Sequence, residues 1–300
     1  MKRETTPWKL RTRTLELGRR TLVMGVVNIT PDSFSDGGLF LETDEAISRA
    51  LHLLDEGADI IDLGAESTRP GSKAGDAEPA VSDEEELSRL MPVLRGVLKA
   101  RPDAIVSVDT YKATTARAAI DAGAEIVNDV SGLMWDEEMA GVCAGTKAGV
   151  VLMHTRGRPQ EWRTQPKLAG DELMAMVRTG LKTSLETAER AGVATESTLL
   201  DPGYGFGKRF EENYALLARQ AELLELGRPL LAGVSRKSFL GHTLAAVRGG
   251  APAEARQRET ASIAAMVAAI LNGASIVRVH WARPAIEAAR IADAVIAAGG

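Results

Sequence analysis

The residues of this chain best suited to chemistry are carboxylates, carboxamides and cations: Asn28, Arg69, Asp109, Asn128, Asp201, Lys237, Arg278 and His280. Nearly all of them stand at or just past the end of a short apolar, β-forming run. Arg69, Arg278, His280 and the run Ser235-Arg236-Lys237-Ser238 supply donors from several directions. A phosphate or diphosphate needs that spread, and the planar arginine fork matches its oxygens. Arg278 alternates with Val277 and Val279, so it points the same way as His280. Asp109, Asn128 and Asp201 present acceptors and a carboxamide, which suit a flat ring with amide and amino edges. The set predicts a site for a polar heterocycle that carries an anion.

Taken singly, each residue has a plainer reading. Asp201 opens an Asp-Pro-Gly turn sequence, and Arg278 can pair with a carboxylate inside a barrel layer. A lone histidine such as His280 is more often a satisfied core residue. The run Gly203–Lys208 has the glycines of a phosphate cradle but not the spacing of a P-loop. No His-x-His follows the first strand, which argues against a barrel metallohydrolase. No Ser or Cys pairs with a His/Asp relay, so nucleophilic catalysis has no visible machinery. Carbocation or addition–elimination chemistry driven by electrostatics stays open.

Positioning so many strand ends around one site requires a particular frame. Buried strands are predicted at Leu22–Val27, Ile60–Leu63, Ile105–Val108, Ile126–Asn128, Val150–Met153, Leu199–Asp201, Leu230–Val234 and Ile276–Val279. Helices are predicted between them, at Asp44–Glu56, Asp83–Lys99, Ala113–Ala122, Asp136–Thr146, Asp171–Ala191, Glu211–Leu226, Ala253–Asn272 and Pro284–Ala298. Eight βα units without a gap predict an α/β fold of the (β/α)8 TIM-barrel type, with an open doubly wound sheet as the alternative. No Gly-x-Gly-x-x-Gly follows the first strand, which weighs against a dinucleotide fold. Residues 1–300 read as a single domain, with residues 1–20 forming a short N-terminal hairpin that plugs the barrel bottom. Lys73–Pro79 reads as exposed loop without chemistry, and Val247–Ala255 as a loop.

Composition narrows the class further. The 300 residues are 45% hydrophobic and 26% charged, enough to bury a sizeable core. Thirty-six basic against 41 acidic residues give a net charge of −5, which disfavours nucleic acid and anionic membranes as partners. A lone cysteine, Cys143, makes no internal disulfide and fits a reducing compartment, so the expected location is cytoplasmic. The charged N-terminus lacks the apolar stretch of a signal peptide.

Six segments in order resemble the dihydropteroate synthase family of pterin-binding enzymes. They are Asn28-Ile-Thr-Pro-Asp-Ser-Phe-Ser-Asp-Gly-Gly38, Glu66-Ser-Thr-Arg-Pro-Gly71, Ser107-Val-Asp-Thr110, Asp201-Pro-Gly-Tyr-Gly-Phe-Gly-Lys208, Ser235-Arg-Lys-Ser238 and Arg278-Val-His280. The resemblance implies a (β/α)8 barrel that joins 6-hydroxymethyl-7,8-dihydropterin diphosphate to 4-aminobenzoate with Mg²⁺, releasing diphosphate in folate synthesis. It implies that Asp109, Asn128, Asp201 and Lys237 hold the pterin, with Asp109, Asp36 and Lys237 in the chemistry. It implies that Thr68, Arg69, Arg278 and His280 bind diphosphate and that Asn28 contacts the metal. The aminobenzoate pocket would comprise Phe34, Thr68, Pro70, Phe206 and Ser238. Sulfonamide binding and a homodimer through the late helices are also implied. A pterin-dependent methyltransferase barrel and a non-catalytic pterin-binding paralogue are the alternatives. One departure is Trp281-Ala282 where the family continues with Asp-Val, which bears on the start of the last helix.

Overall fold

The computed structural model describes residues 3–30, 38–68, 72–76 and 81–299. Two short strands, β1 (Thr6–Lys9) and β2 (Thr14–Leu17), pair antiparallel as an N-terminal hairpin. The strands β3 (Leu22–Asn28), β4 (Ile60–Gly64), β5 (Val106–Asp109) and β6 (Ile126–Asp129) begin the barrel. It continues with β7 (Gly149–Met153), β8 (Thr198–Asp201), β9 (Leu230–Ala232) and β10 (Ala274–Val279). These eight close in the order β10-β3-β4-β5-β6-β7-β8-β9, every neighbouring pair parallel. The closed barrel, not the open sheet, is therefore the fold.

The helices between and after the strands are α1 (Gly38–Asp55), α2 (Asp83–Ala100), α3 (Ala113–Asp121), α4 (Met139–Thr146) and α5 (Gly170–Ala191). The second half adds α6 (Phe210–Arg219), α7 (Ser238–Leu244), α8 (Glu259–Leu271) and α9 (Ala282–Ala298). Helix α2 starts where it was expected because Ser82 caps it and four acidic residues, Asp83 to Glu86, fill its first turn. Helix α4 begins three residues later than Asp136. The Asp136 carboxylate is engaged elsewhere, accepting from the backbone N–H groups of Ala113 (2.8 Å) and Glu138 (2.9 Å). The helix expected from Ala253 is a tight turn at Ala255–Arg258 followed by α8, and α7 is an additional helix. Helix α9 starts at Ala282, so Pro284 falls in its first turn, where its missing N–H costs nothing. Among the described residues, no helix is long and apolar enough to cross a membrane.

A period of two along each strand sorts the side chains into a core and a site. Outward residues such as Val23, Ile61, Val108, Val127, Leu152 and Val277 pack under the helices in one continuous core. Inward residues near the strand starts, Met24, Ile60, Ile126, Val151, Leu199, Leu231 and Ile276, form a second apolar cluster with Trp8, Leu10 and Leu17 of the hairpin. Trp8 is fully buried there and its indole donates to the Ser197 carbonyl at 2.9 Å. Gly149 leaves the space that Leu10 fills: a Cβ would lie 2.5 Å from Leu10 Cδ2. Two residues further along, the inward position is polar on five of the eight strands. Ile60 is followed by Asp62, Ser107 by Asp109, Ile126 by Asn128, Leu199 by Asp201, and Ile276 by Arg278.

Candidate active site

The polar tier of the barrel opens into a cavity of about 760 Å³ at the C-terminal ends of the strands. Asp109, Asn128, Asp201, Lys237, Arg278 and His280 all line it. Strand ends far apart in sequence thus converge, as the parallel barrel requires.

The floor is organised by a residue that sits mid-strand. Asp62 is fully buried, and its Oδ2 accepts from Arg278 Nε at 2.6 Å and from Asn128 Nδ2 at 3.1 Å. Arg278 Nη2 donates to Asp109 Oδ2, also at 2.6 Å. Arg278 is therefore not a free anion receptor: two of its nitrogens are engaged by carboxylates, the ion-pair arrangement that competed with the anion reading. Its remaining donor capacity is what a ligand can use. Burial raises the Asp109 pKa, with Arg278 opposing and Asp62 and Glu86 reinforcing the shift. Gly64 on the adjacent strand leaves room for Asp109, whose Cβ lies 3.4 Å from where a Gly64 Cβ would stand.

Asp201 does both things the sequence allowed. Its Oδ1 accepts from Gly203 N at 2.7 Å, closing the Asp-Pro-Gly turn, while the residue still lines the cavity. Burial raises its pKa, against Gly203, Lys237, Arg278 and Lys208. Gly203 has φ +71°, and a Cβ there would lie 1.9 Å from the His154 carbonyl oxygen, so only glycine fits this turn. The apparent phosphate cradle after it is self-satisfied: Lys208 Nζ donates to the carbonyls of Gly203 (2.8 Å), His154 (3.2 Å) and Phe206 (3.3 Å). Lys208 is a brace for the loop. Phe206, in contrast, is presented to the cavity, edge-on to Trp162 and under the Lys237 ammonium at 4.0 Å.

Lys237 reaches this position through a strained neighbour. Arg236 adopts φ +59°, left-handed for a non-glycine residue, at a cost of about 1–3 kcal/mol. The start of α8 holds it there: Arg236 N donates to Ser262 Oγ at 2.9 Å, Arg258 donates to its carbonyl at 2.8 Å, and its Nε pairs with Glu259 at 2.6 Å. Arg236 is thus bound to Glu259, while Lys237 turns inward. Burial, then Arg278, lowers the Lys237 pKa to about 8, with Asp201 and Asp109 acting in the opposite sense.

His280 Nδ1 lies 3.0 Å from Ser235 Oγ. Burial first, then Arg236, Arg278, Lys237 and Arg49, push its pKa down to about 3. It is a neutral imidazole beside several cations. Asn28, Thr68 and Ser238 also line the cavity. Phe34, Asp36, Arg69 and Pro70 lie outside the described residues.

The pterin-binding enzyme family matches residues 24–280. The dihydropteroate synthase of Synechocystis sp. is 41% identical over 278 residues, covering 93% of this chain and 91% of its own. A Yersinia pestis dihydropteroate synthase solved with a sulfonamide drug superimposes with a TM-score of 0.85 at 39% identity, covering 98% of this chain and 100% of the other. A Xanthomonas albilineans dihydropteroate synthase solved with 4-aminobenzoic acid gives 0.84 at 38% identity, covering 97% and 98%. This chain belongs to the dihydropteroate synthase family of pterin-binding enzymes.

Within that family frame, strand-end reasoning missed Asp62 and the cations Arg49, Arg256 and Arg258. All three cations line the cavity, but they come from α1 and the Ala255–Arg258 turn. Arg49 also donates to the His280 carbonyl. Asp62 had one available signal, a carboxylate at the inward position of an otherwise apolar strand. Burying a charge there is costly without a partner, so its presence implies one.

Proposed function

We propose that this chain condenses 6-hydroxymethyl-7,8-dihydropterin diphosphate with 4-aminobenzoate, giving 7,8-dihydropteroate and diphosphate in folate biosynthesis. One observation carries the reading: the same cavity joins a ring-edge set, Asp109, Asn128, Asp201 and Lys237, to a cation set that includes Arg278, Arg256 and Arg258. Asp201 and Asn128 hold the amino and amide edges of the pterin, and Lys237 reaches its carbonyl side. Arg278, His280, Thr68 and Arg69 receive the diphosphate. Phe206 and Ser238, with Thr68, Phe34 and Pro70, seat the aminobenzoate.

The bond between the pterin methylene and the diphosphate oxygen breaks, and its electron pair leaves with diphosphate. The cation that remains delocalises into the ring, where Asp109 and Asp36 oppose its charge and the arginines stabilise the leaving anion. The aniline nitrogen attacks the methylene carbon, and the proton it then loses passes to the departing diphosphate or to water. Because that nitrogen is neutral at pH 7, no strong base is needed, consistent with the missing relay. His280, neutral here, offers a hydrogen bond rather than a second charge.

Mg²⁺ belongs to this proposal through the diphosphate. Among the described residues no group of three or more His, Cys, Asp or Glu is placed to hold a metal ion, whereas the exposed Asn28 lines the cavity. A carboxamide oxygen of this kind would suit a hard, oxygen-preferring cation. Held by Asn28, Mg²⁺ would supply charge neutralisation at the leaving group.

The proposal includes a cytoplasmic enzyme, in keeping with the free buried Cys143, and a pocket that takes sulfonamides. It also includes a homodimer. Ile291 (69% exposed) and Val295 (55% exposed) stand one turn apart on α9, and Leu271 (40% exposed) ends α8, which packs against α9. Purified protein is assayed for diphosphate release with and without 4-aminobenzoate. Release that depends on the aryl amine supports the reading. Pterin binding without release identifies a non-catalytic binder, and methyl transfer identifies the related barrel.

A further inference from the structure

Within Lys73–Pro79, expected to be exposed loop, the described residues Ala74 and Gly75 are anchored. Ala74 is fully buried in a cluster with Tyr111, Val130 and Met153, against Trp135 and Phe206. Gly75 lies on the Trp135 indole: at φ +77° its added Cβ would stand 2.5 Å from Trp135 Cε3. Tyr111 and Trp135 meet edge to face at 5.2 Å, forming the wall against which Ala74 and Gly75 rest. Val130, Met153 and Phe206 of the same cluster also line the cavity. The wall beneath the loop is therefore continuous with the wall of the site.

Both ends of the loop meet one lysine. Lys112 is buried, and its Nζ contacts Glu66 Oε2 at 2.9 Å, where β4 hands over to the loop. The same Nζ donates to the Val81 carbonyl at 2.6 Å, where the chain returns to α2. Glu86 Oε2 of α2, 3.1 Å away, completes the set and also accepts from Thr115 Oγ1 at 3.1 Å. Burial disfavours the Lys112 cation, but Glu86 and Glu66 together outweigh it and raise its pKa. One ammonium thus ties together the start of the loop, its end and the helix that follows.

We propose that Lys112 and the Tyr111–Trp135 pair are positioning residues that hold the described parts of the second βα loop, Glu66–Thr68 and Ser72–Asp76, at the cavity wall and thereby set the seat of the aryl amine. The inference rests on the function proposed above for the substrate names, though not for the docking. Glu66, Ser67 and Thr68 line the cavity rim from this loop, whereas the ring-edge set projects from the strands and from Lys237. Loosening the loop moves the rim and leaves the strand-borne groups in place. A misplacement of about 1 Å can cost on the order of a hundredfold.

Two variants of the full chain, Lys112→Met and Trp135→Ala, test this with two readouts. Hydrogen exchange without substrate is expected to speed up at Ser72–Asp76 in both, with the barrel strands unchanged. In kinetics the KM for 4-aminobenzoate is expected to rise about tenfold or more, the KM for pterin diphosphate to stay within about twofold, and Lys112→Arg to recover part of the loss. Lys112→Met leaves two buried acids without their cation; if it does not fold, Trp135→Ala, which touches no charge, decides. Unchanged exchange at Ser72–Asp76 in a folded variant, or equal rises in both KM values, overturns the positioning role. Wild-type protein without amine-dependent diphosphate release overturns the proposed function instead, while the exchange result still judges the docking.

Discussion

At the bottom of the barrel three carboxylates, Asp293, Glu125 and Asp59, sit among donors. Asp293 accepts from Arg3 (2.8 Å), Thr21 Oγ1 (2.7 Å) and Thr21 N (2.9 Å), and Glu125 accepts from Thr12 N (2.9 Å) and Arg13 (3.2 Å). Asp59 pairs with Arg20 and receives Val23 N at 2.9 Å. The interior beside them is closed by Trp8, Leu10 and Leu17. At the mouth the same frame holds its charges out of their ordinary state: burial raises Asp109 and Asp201 and lowers Lys237 and His280. Packing completes the bottom without a ligand. The mouth keeps unspent interaction capacity, and a ligand with ring edges and an anion can use it.

Substitutions at the two ends should therefore separate activity from stability. The largest effect is expected from Asp201→Asn. Asparagine can still accept from Gly203 N, so the turn and the fold survive, but one acceptor facing the pterin becomes a donor. A site built on such a bond loses roughly 10⁴-fold in discrimination when the partner is wrong. Steady-state kinetics and calorimetry with the pterin check this, and an unchanged affinity would reduce Asp201 to a turn former.

Trp8→Ala is expected to do the reverse. Removing the fully buried indole costs about 3–5 kcal/mol of stability. Urea unfolding should show the loss, while both KM values at 25 °C stay near wild type. A comparable loss of substrate affinity would mean that the two ends are coupled through the barrel.

Arg278→Ala sharpens the mouth further. A charge-assisted hydrogen bond contributes about 1.5–3 kcal/mol, so diphosphate should bind ten- to a hundredfold less tightly. Binding of a hydroxymethyl pterin lacking the diphosphate should weaken less. Equal losses for both would make the pairing with Asp62 and Asp109 the residue's main role.

The smallest effect at neutral pH is one that grows in acid. The folded chain holds the His280 pKa at about 3, below the ordinary value near 6.5 that the unfolded chain restores. Between those two values the unfolded state binds a proton that the folded state does not. The contribution of His280 to stability is therefore intact above pH 6.5 and falls as pH drops toward 3. The slope is at most about 1.4 kcal/mol per pH unit. His280→Gln should flatten that part of the stability–pH curve. Diphosphate, by neutralising Arg236, Arg278, Lys237 and Arg49, should move the His280 titration upward, readable by NMR of its ring.

The sequence by itself determined the repeating βα units, the apolar strands and the polar character of their ends. Alternation is local and survives any tertiary arrangement, so the inward placement of Asp109, Asn128, Asp201 and Arg278 was legible from their neighbours. The motif order carried the family. Which bonds those residues make was decided only in three dimensions. Asp62 and Arg278 are 216 residues apart, and barrel closure alone brings them within 2.6 Å. The left-handed turn at Arg236, the cavity-lining Arg49 from α1 and the burial of Ala74 against Tyr111 and Trp135 were likewise decided by closure. Short-range pattern reports which face a side chain takes, whereas partner, burial and charge state depend on what the rest of the chain brings to that face.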